Sequence, residues 1–196
     1  MSKIRKYLFS LKAPFIESLN YIKENKEYIY SAIILFCVAS ILGALLHNNL
    51  GFLDKYIKQI MDSTKNLSGL NLISFIFKNN LITSFFSLFL GLIFGIPPIV
   101  NAITNGLLVG YVSEKVVSST NILELWRLLP HGIFELPAIF ISIGLGLKLG
   151  SSLFSIKRIK KLNPNLKNSI NVFILIIIPL LIIAAIIEGL LITLFR

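Results

Sequence analysis

The chain has 196 residues, of which 55% are hydrophobic and only 14% are charged, and its formal net charge at pH 7 is +10. A soluble domain of this size would have to expose much of that apolar content to water, so the composition favours a membrane protein. The basic residues lie between apolar blocks rather than along one face, which argues against nucleic acid as a partner. With Cys37 as the single cysteine, the chain forms no intrachain disulfide.

Residues 1–27 are predicted to form a basic amphipathic cytoplasmic segment. Apolar residues from Ile4 to Ile22 recur at helical spacing among six Lys and Arg residues, and a bend or an interruption is expected near Pro14. A helix lying on the membrane surface and an ordinary solvated helix packed on a partner both explain this pattern. The segment lacks the pattern of a signal peptide, so the first apolar segment is expected to stay in the mature protein.

Residues 28–196 are predicted to form an all-α transmembrane domain, a polytopic membrane helix bundle with about five membrane segments. A charged amphipathic stretch around 52–62 is expected to lie on the membrane surface. The stretch 81–112 carries no charge and is longer than one crossing requires, so a Pro-Pro break at Pro97 and Pro98 is expected between the second and third segments. The predicted spans are 28–46, 81–97, 98–115, 129–149 and 170–195, with a re-entrant segment as the alternative for 98–115.

The distribution of basic residues predicts the orientation of these segments. Six Lys and Arg residues precede the first span, and six more, with no acidic residue, lie between 148 and 169. Positive residues accumulate on the cytoplasmic side, and five crossings place both groups there. The N-terminus is therefore expected in the cytoplasm and the C-terminus outside the cell membrane.

Pairs of glycines four residues apart occur in three consecutive apolar segments. Small residues at this spacing let helix backbones approach closely inside a bilayer, where the hydrophobic effect does not drive helix association. Three such pairs predict a compact bundle, and they make a homo-oligomer worth testing. The pairs are Gly91 with Gly95, Gly106 with Gly110, and Gly146 with Gly150.

Ionisable residues within the spans predict a polar cluster in the outer half of the membrane. His131 and Glu135 lie one helical turn apart, and the predicted topology brings Glu188 and His47 to the same side. Carboxylates inside a membrane are expensive and usually face the bundle interior, where they have partners. The remaining members of the predicted cluster are the amides Asn101 and Asn105.

Three interpretations of this cluster follow from its chemistry. His131, Glu135 and Glu188 are ordinary ligands for a divalent metal such as zinc. The same groups could relay protons or bind another ion. A structural interpretation has the histidine bonded to the carboxylates, so that the cluster only holds two helices together. No phosphate-binding loop, His-Glu-x-x-His motif or activated nucleophile accompanies the cluster, and no catalytic residue is predicted.

Three stretches resemble the stage II sporulation protein M family of integral membrane proteins. They are "NAITNGLLVGYV" at 101–112, "LLPHGIFELPAIFISIGLGLKLG" at 128–150 and "AAIIEGLLIT" at 184–193, and the Pro-His-Gly-x-x-Glu-x-Pro block is the most specific part. The resemblance implies a membrane scaffold or a subunit of a membrane complex, working with other membrane proteins and without catalysis of its own. The alternatives are a transporter or channel for an ion or small solute, and a metal-dependent intramembrane hydrolase. The matching positions are Asn101, Asn105, Gly106, Gly110, His131, Gly132, Glu135, Pro137 and Glu188.

Overall fold

The computed structural model describes residues 3–119, 129–155 and 158–194, and these ranges contain helices and no strand. The helices are α1 (Lys3–Glu24), α2 (Lys26–Leu45), α3 (Leu53–Thr64), α4 (Gly69–Phe89), α5 (Ile96–Ser119), α6 (Leu129–Ser152), α7 (Arg158–Val172) and α8 (Ile178–Leu194). Short 3₁₀ turns lie at His47–Asn49 and Leu90–Leu92, and one π-helical turn, Phe173–Ile177, joins α7 to α8.

Five helical segments in the described part of the chain are long and apolar enough to cross a membrane. They are Lys26–Leu45, Gly69–Leu92, Ile96–Ser119, Gly132–Ser152 and Leu162–Thr193. Large apolar side chains on the outside of the bundle remain exposed, as expected of a surface that faces lipid; Ile34 and Ile41, for example, are 63% and 61% exposed. The prediction of an all-α polytopic bundle with about five membrane segments is confirmed.

The second membrane helix begins earlier than the predicted span. α4 starts at Gly69, twelve residues before position 81. Lys78 interrupts the apolar run in the sequence, but its side chain is exposed on the surface of the helix, where a long lysine can extend toward polar surroundings. The loop between the first two spans is therefore shorter than predicted. It contains helix α3, at the position where a surface helix was expected around 52–62.

The chain reverses between α4 and α5 immediately before the two prolines. Phe94 and Gly95 have φ angles of 53° and 74°, the left-handed conformation that lets the backbone turn tightly. Pro97 and Pro98 then lie in the first turn of α5, where a missing N–H leaves no hydrogen bond unmade. The prolines thus begin the third segment, and the reversal itself occupies the residues just before them.

Close contacts between helix backbones hold α5 against α2 and α6 against the end of α4. A Cβ atom on Gly110 would overlap the carbonyl oxygen of Ser40, and one on Gly106 would lie 2.8 Å from the Cβ of Ala39. A Cβ on Gly146 would overlap the Ser87 carbonyl oxygen. Further along the same contact, Gly91 packs on Gly146, and Gly150 packs on Gly95. Of the six glycines in the predicted pairs, Gly106, Gly110, Gly146 and Gly150 lie within helices at such contacts, whereas Gly91 lies in the 3₁₀ turn and Gly95 in the chain reversal.

The two basic segments lie at the same end of the bundle. α1 continues as one helix through Pro14 and packs against α7, and the hydroxyl of Tyr21 hydrogen-bonds Asn165. Burial raises the pKa of Tyr21 above its usual range. The main core lies between α4, α6 and the continuous α7–α8 helix, where Leu145, Leu149 and Leu181 are fully buried.

Candidate functional site

A polar cleft of about 880 Å³ opens between α3, α4, α5, α6 and α8. Helices α4 and α5 contribute amides and hydroxyls, α6 and α8 contribute one carboxylate each, and α3 covers the cleft with mostly apolar side chains. Within the described part of the chain, no Lys or Arg side chain lines the cleft. The polar ones are Asn79, Asn80, Thr83, Asn101, Thr104, Asn105, Glu135 and Glu188, with Thr64 on α3.

A chain of hydrogen bonds runs along the inner wall of this cleft. The amide of Asn105 donates to the side-chain oxygen of Asn101 and, at 3.0 Å, to its backbone carbonyl. The amide of Asn101 donates to the Ser87 hydroxyl, which donates at 2.7 Å to the Thr83 carbonyl oxygen. These bonds tie α5 to α4 and turn polar atoms toward the cleft.

The two carboxylates in the cleft, those of Glu135 and Glu188, lie close enough to repel each other. Neither has a hydrogen-bond donor or a basic side chain within reach among the side chains that the structure describes. Both are half-buried. Ionisable residues in such a setting commonly mark ion or solute pathways.

Buried hydroxyls extend the polar character beyond the lining of the cleft. Asn80 is only 8% exposed, and Ser84 and Ser142 are fully buried. The hydroxyls of Ser84 and Ser142 have no hydrogen-bond partner within the described part of the chain. An unpaired buried hydroxyl is unfavourable, and these two hydroxyls on α4 and α6 remain able to hydrogen-bond a further polar group.

Helix packing orders the lining residues along the length of the cleft. Gly189 packs on Ile73 near the start of α4, so Glu188 lies toward the end that α3 covers. Asn101 and Ser87 lie deeper, roughly 20 Å further along α4 at 1.5 Å per residue. Beyond them, the backbone contact of Gly91 with Gly146 leaves no space between the helices.

Helix α3 is held over the open end by an ion pair with α5. Lys115 bonds both carboxylate oxygens of Asp54 at 2.8 Å, and the hydroxyl of Tyr111 donates to the same carboxylate at 2.7 Å. The bonds from Lys115 and then Tyr111 hold the pKa of Asp54 below its usual range. α3 has no buried residue of its own, so this polar contact is its main identified attachment.

The structure brings together part of the predicted polar cluster. Asn101, Asn105, Glu135 and Glu188 line the cleft, whereas His47 lies in the turn after α2, where its Nδ1 is 2.9 Å from the Ala44 carbonyl oxygen. The backbone of His131 belongs to α6, but its side chain lies outside the described residues.

The donor atoms that line the cleft determine which metal ion the predicted site would suit. Among the described side chains, no three His, Cys, Asp or Glu residues come together. The donors available beside Glu135 and Glu188 are amide and hydroxyl oxygens, which suit hard cations better than zinc. A zinc site would therefore depend on His131 to supply a nitrogen ligand.

Polar residues of α4 are the part of the site that sequence reasoning missed. Because residues 69–80 were predicted to be a loop, Asn79 and Asn80 were not placed in the membrane. The sequence pattern that could have placed them in a helix is a spacing of mainly four residues, which marks the buried face of α4. That face runs through Leu72, Ile76, Asn80, Ser84, Ser87 and Gly91.

Comparison with known proteins agrees with the resemblance seen in the sequence. The family model described as stage II sporulation protein M matches residues 32–191. A protein of Methanocaldococcus jannaschii described as uncharacterized is 33% identical over 165 residues, which cover 82% of this chain and 90% of that protein. No solved structure gives a significant match. The chain is a member of the stage II sporulation protein M family, an integral membrane protein built around a carboxylate-bearing cleft.

Proposed function

We propose that this protein binds a small cationic solute in the polar cleft and moves it across the cell membrane. The observation that carries the proposal is that Asn105, Glu135 and Glu188 line one cleft. A carboxylate at the centre of a membrane is unfavourable by about 2.5 to 3.5 kcal/mol on insertion scales, and such residues commonly mark ion and solute pathways. Two unpaired carboxylates give the cleft a clear preference for positive charge.

The close contact of Gly91 with Gly146 favours a transport cycle rather than a permanently open pore. In the proposed cycle, water enters beneath α3 and reaches the amides of Asn105 and Asn101, and the close contact of Gly91 with Gly146 holds α4 against α6 beyond them. A solute bound between the carboxylates would pass only after α4 and α6 separate there. This arrangement fits alternating access, in which one end of a path closes while the other opens.

Electrical recordings on protein reconstituted in vesicles test the proposal. A panel of Na⁺, K⁺, Mg²⁺, NH₄⁺ and methylammonium is applied as a gradient, and transient currents are expected for at least one cation. The double variant Glu135→Gln and Glu188→Gln should abolish them, because it removes both charges and keeps the side-chain shape. Glu27→Gln, an exposed position at the start of α2, is the matched control and should conduct normally. Absence of current and of cation binding in the unaltered protein would refute the proposal.

We propose that the N-terminus lies in the cytoplasm and the C-terminus outside. The support is the location of both basic segments at one end of the bundle, through the contact of α1 with α7. In this orientation the open end of the cleft and α3 face the exterior.

A divalent metal held by His131, Glu135 and Glu188 is a further proposal about the same place. When bound, such an ion would neutralise the two carboxylates. Metal analysis of the purified protein is the test, with Glu135→Gln and His131→Ala as variants. Stoichiometric metal that both variants lose supports the site, and no metal in the unaltered protein contradicts it.

A scaffold or complex subunit is the second candidate, and the match to the family described as stage II sporulation protein M favours it. The close backbone contacts of Gly106 and Gly110 with α2 make the bundle a stiff platform of the kind such a role requires. Gentle solubilisation followed by mass measurement in the detergent micelle tests this role and the proposed homo-oligomer. A defined assembly larger than the 21.9 kDa chain supports it, and a monomer under every condition contradicts it.

A further inference from the structure

Aromatic side chains surround the open end of the cleft. Phe52 immediately before α3, Tyr56 of α3 and Phe75 of α4 line the cleft, and Gly189 packing on Ile73 places Glu188 near the start of α4 as well. Phe52 and Tyr56 are also 70% and 52% exposed, so a ligand entering the cleft could contact their rings. Three rings beside a carboxylate form an unusual lining for a path that would carry only a bare metal ion.

Aromatic faces and carboxylates together are the groups that recognise organic ammonium ions. The face of an aromatic ring attracts a cation through its quadrupole, and quaternary ammonium groups are bound in this way by cages of aromatic residues. A bare metal ion, in contrast, requires several oxygen ligands converging at about 2.0 to 2.6 Å. The described acidic and histidine side chains do not converge in a group of three, so a bare metal ion would depend on amide and hydroxyl oxygens as further ligands.

The size and charge of the cleft agree with an organic ligand. Its volume of about 880 Å³ falls in the range of roughly 300 to 1,000 Å³ that small-molecule sites occupy. Apolar residues such as Leu72 and Ile192 line it together with the polar groups. Among the described lining residues there is no Lys or Arg, which disfavours an anionic ligand.

We propose that the ligand of the cleft is an organic ammonium ion. Its positive group lies between the carboxylates of Glu135 and Glu188, its alkyl substituents contact the rings of Phe52, Tyr56 and Phe75, and the amides deeper in the cleft bind its polar substituents. This inference rests on the proposed cation-binding function and names the class of solute. It also gives a role to α3 and the residue before it, which together supply two of the three rings.

Calorimetric titration in a nonionic maltoside detergent tests the proposal with choline as the probe. The control ligand is 3,3-dimethyl-1-butanol, which has the shape of choline and no charge. Choline is expected to bind and its neutral analogue to bind at least tenfold more weakly, a comparison that needs no variant. Equal binding of both ligands would overturn the proposal.

Variants locate the binding in the cleft. Glu188→Gln should weaken choline binding at least tenfold, and Tyr56→Ala should weaken it about threefold to thirtyfold. The matched controls are Glu27→Gln and Tyr30→Ala, exposed positions on α2 outside the cleft, which should bind as the unaltered protein does. Circular dichroism and thermal unfolding identify a variant that has lost its fold. Choline binding that neither cleft substitution changes would overturn the proposal.

Titration with Na⁺ and Mg²⁺ separates this proposal from the function on which it rests. If these ions bind and choline does not, the ammonium assignment is wrong and the cation-binding function stands. If neither class of cation binds, both are wrong.

Discussion

Replacing Gly110 by alanine is expected to destabilise the bundle, because this glycine lies where α5 meets the backbone of α2. The added Cβ would overlap the Ser40 carbonyl oxygen and lie 2.9 Å from the backbone nitrogen of Ala44. Both neighbours are backbone atoms, so the helices must move apart. Overpacking of this kind costs about 1 to 3 kcal/mol.

The matched control is Gly132→Ala in α6. Among the described side chains, the new Cβ there would meet only Leu136, at 3.6 Å, an ordinary van der Waals contact. Replacing glycine by alanine inside a helix gains about 1 kcal/mol of helix propensity. Gly132→Ala should therefore be neutral or slightly stabilising, whereas at Gly110 the overlap offsets or exceeds that gain.

Thermal unfolding in detergent measures the difference. For a chain of this length, 1 kcal/mol corresponds to about 2 to 4 °C in Tm. The two variants should thus differ by roughly 2 to 12 °C, with Gly110→Ala the lower. Equal Tm values, or a lower Tm for Gly132→Ala, would refute the argument that close backbone contact holds α5 in place.

Two further predictions concern α3 and the orientation of the chain. Because the pKa of Asp54 is lowered in the folded state, its bonds to Lys115 and Tyr111 are fully present above the ordinary Asp pKa and are lost as the pH falls through the lowered value. Hydrogen-exchange protection of α3 should fall over that pH range. The variant Asp54→Asn should show the same low protection already at pH 7. If the protection of α3 changes neither with pH nor in the variant, the ion pair does not attach α3. In a Cys37→Ser background, a cysteine at Ser63 should react with an impermeant reagent added outside cells and one at Ser155 should not, and the opposite pattern would reverse the proposed topology.

The sequence predicted the elements that depend on local pattern. Uncharged runs located α2, α6 and α8, and the length of the run around Pro97 and Pro98 showed that it contains a chain reversal. α4 was misplaced at its start because Lys78 interrupts the apolar run. Hydropathy counts that lysine against a span, although in the folded helix it lies on the surface and away from the bundle interior.

The candidate site was partly predictable for a similar reason. Counting residues along each helix gives its depth in the membrane, and depth placed Glu135 and Glu188 on the same side; both line the cleft. Which way a side chain faces depends on helix packing, which the sequence alone does not specify. His47 has a suitable depth but lies in the turn after α2 against the Ala44 carbonyl oxygen, whereas Asn80 faces the cleft from a helix that was not expected there.

Accessibility of the cleft to water tests the central claim most directly. Single cysteines at Asn105, Glu188 and Ile182 are made in the Cys37→Ser background and exposed to a water-soluble, positively charged methanethiosulfonate reagent in vesicles. Positions 105 and 188 line the cleft and should react quickly, whereas Ile182, which is exposed on the outside of α8, should face lipid and react slowly. Slow reaction at both cleft positions, or equal reaction at all three, would contradict the existence of a water-filled cleft that attracts cations.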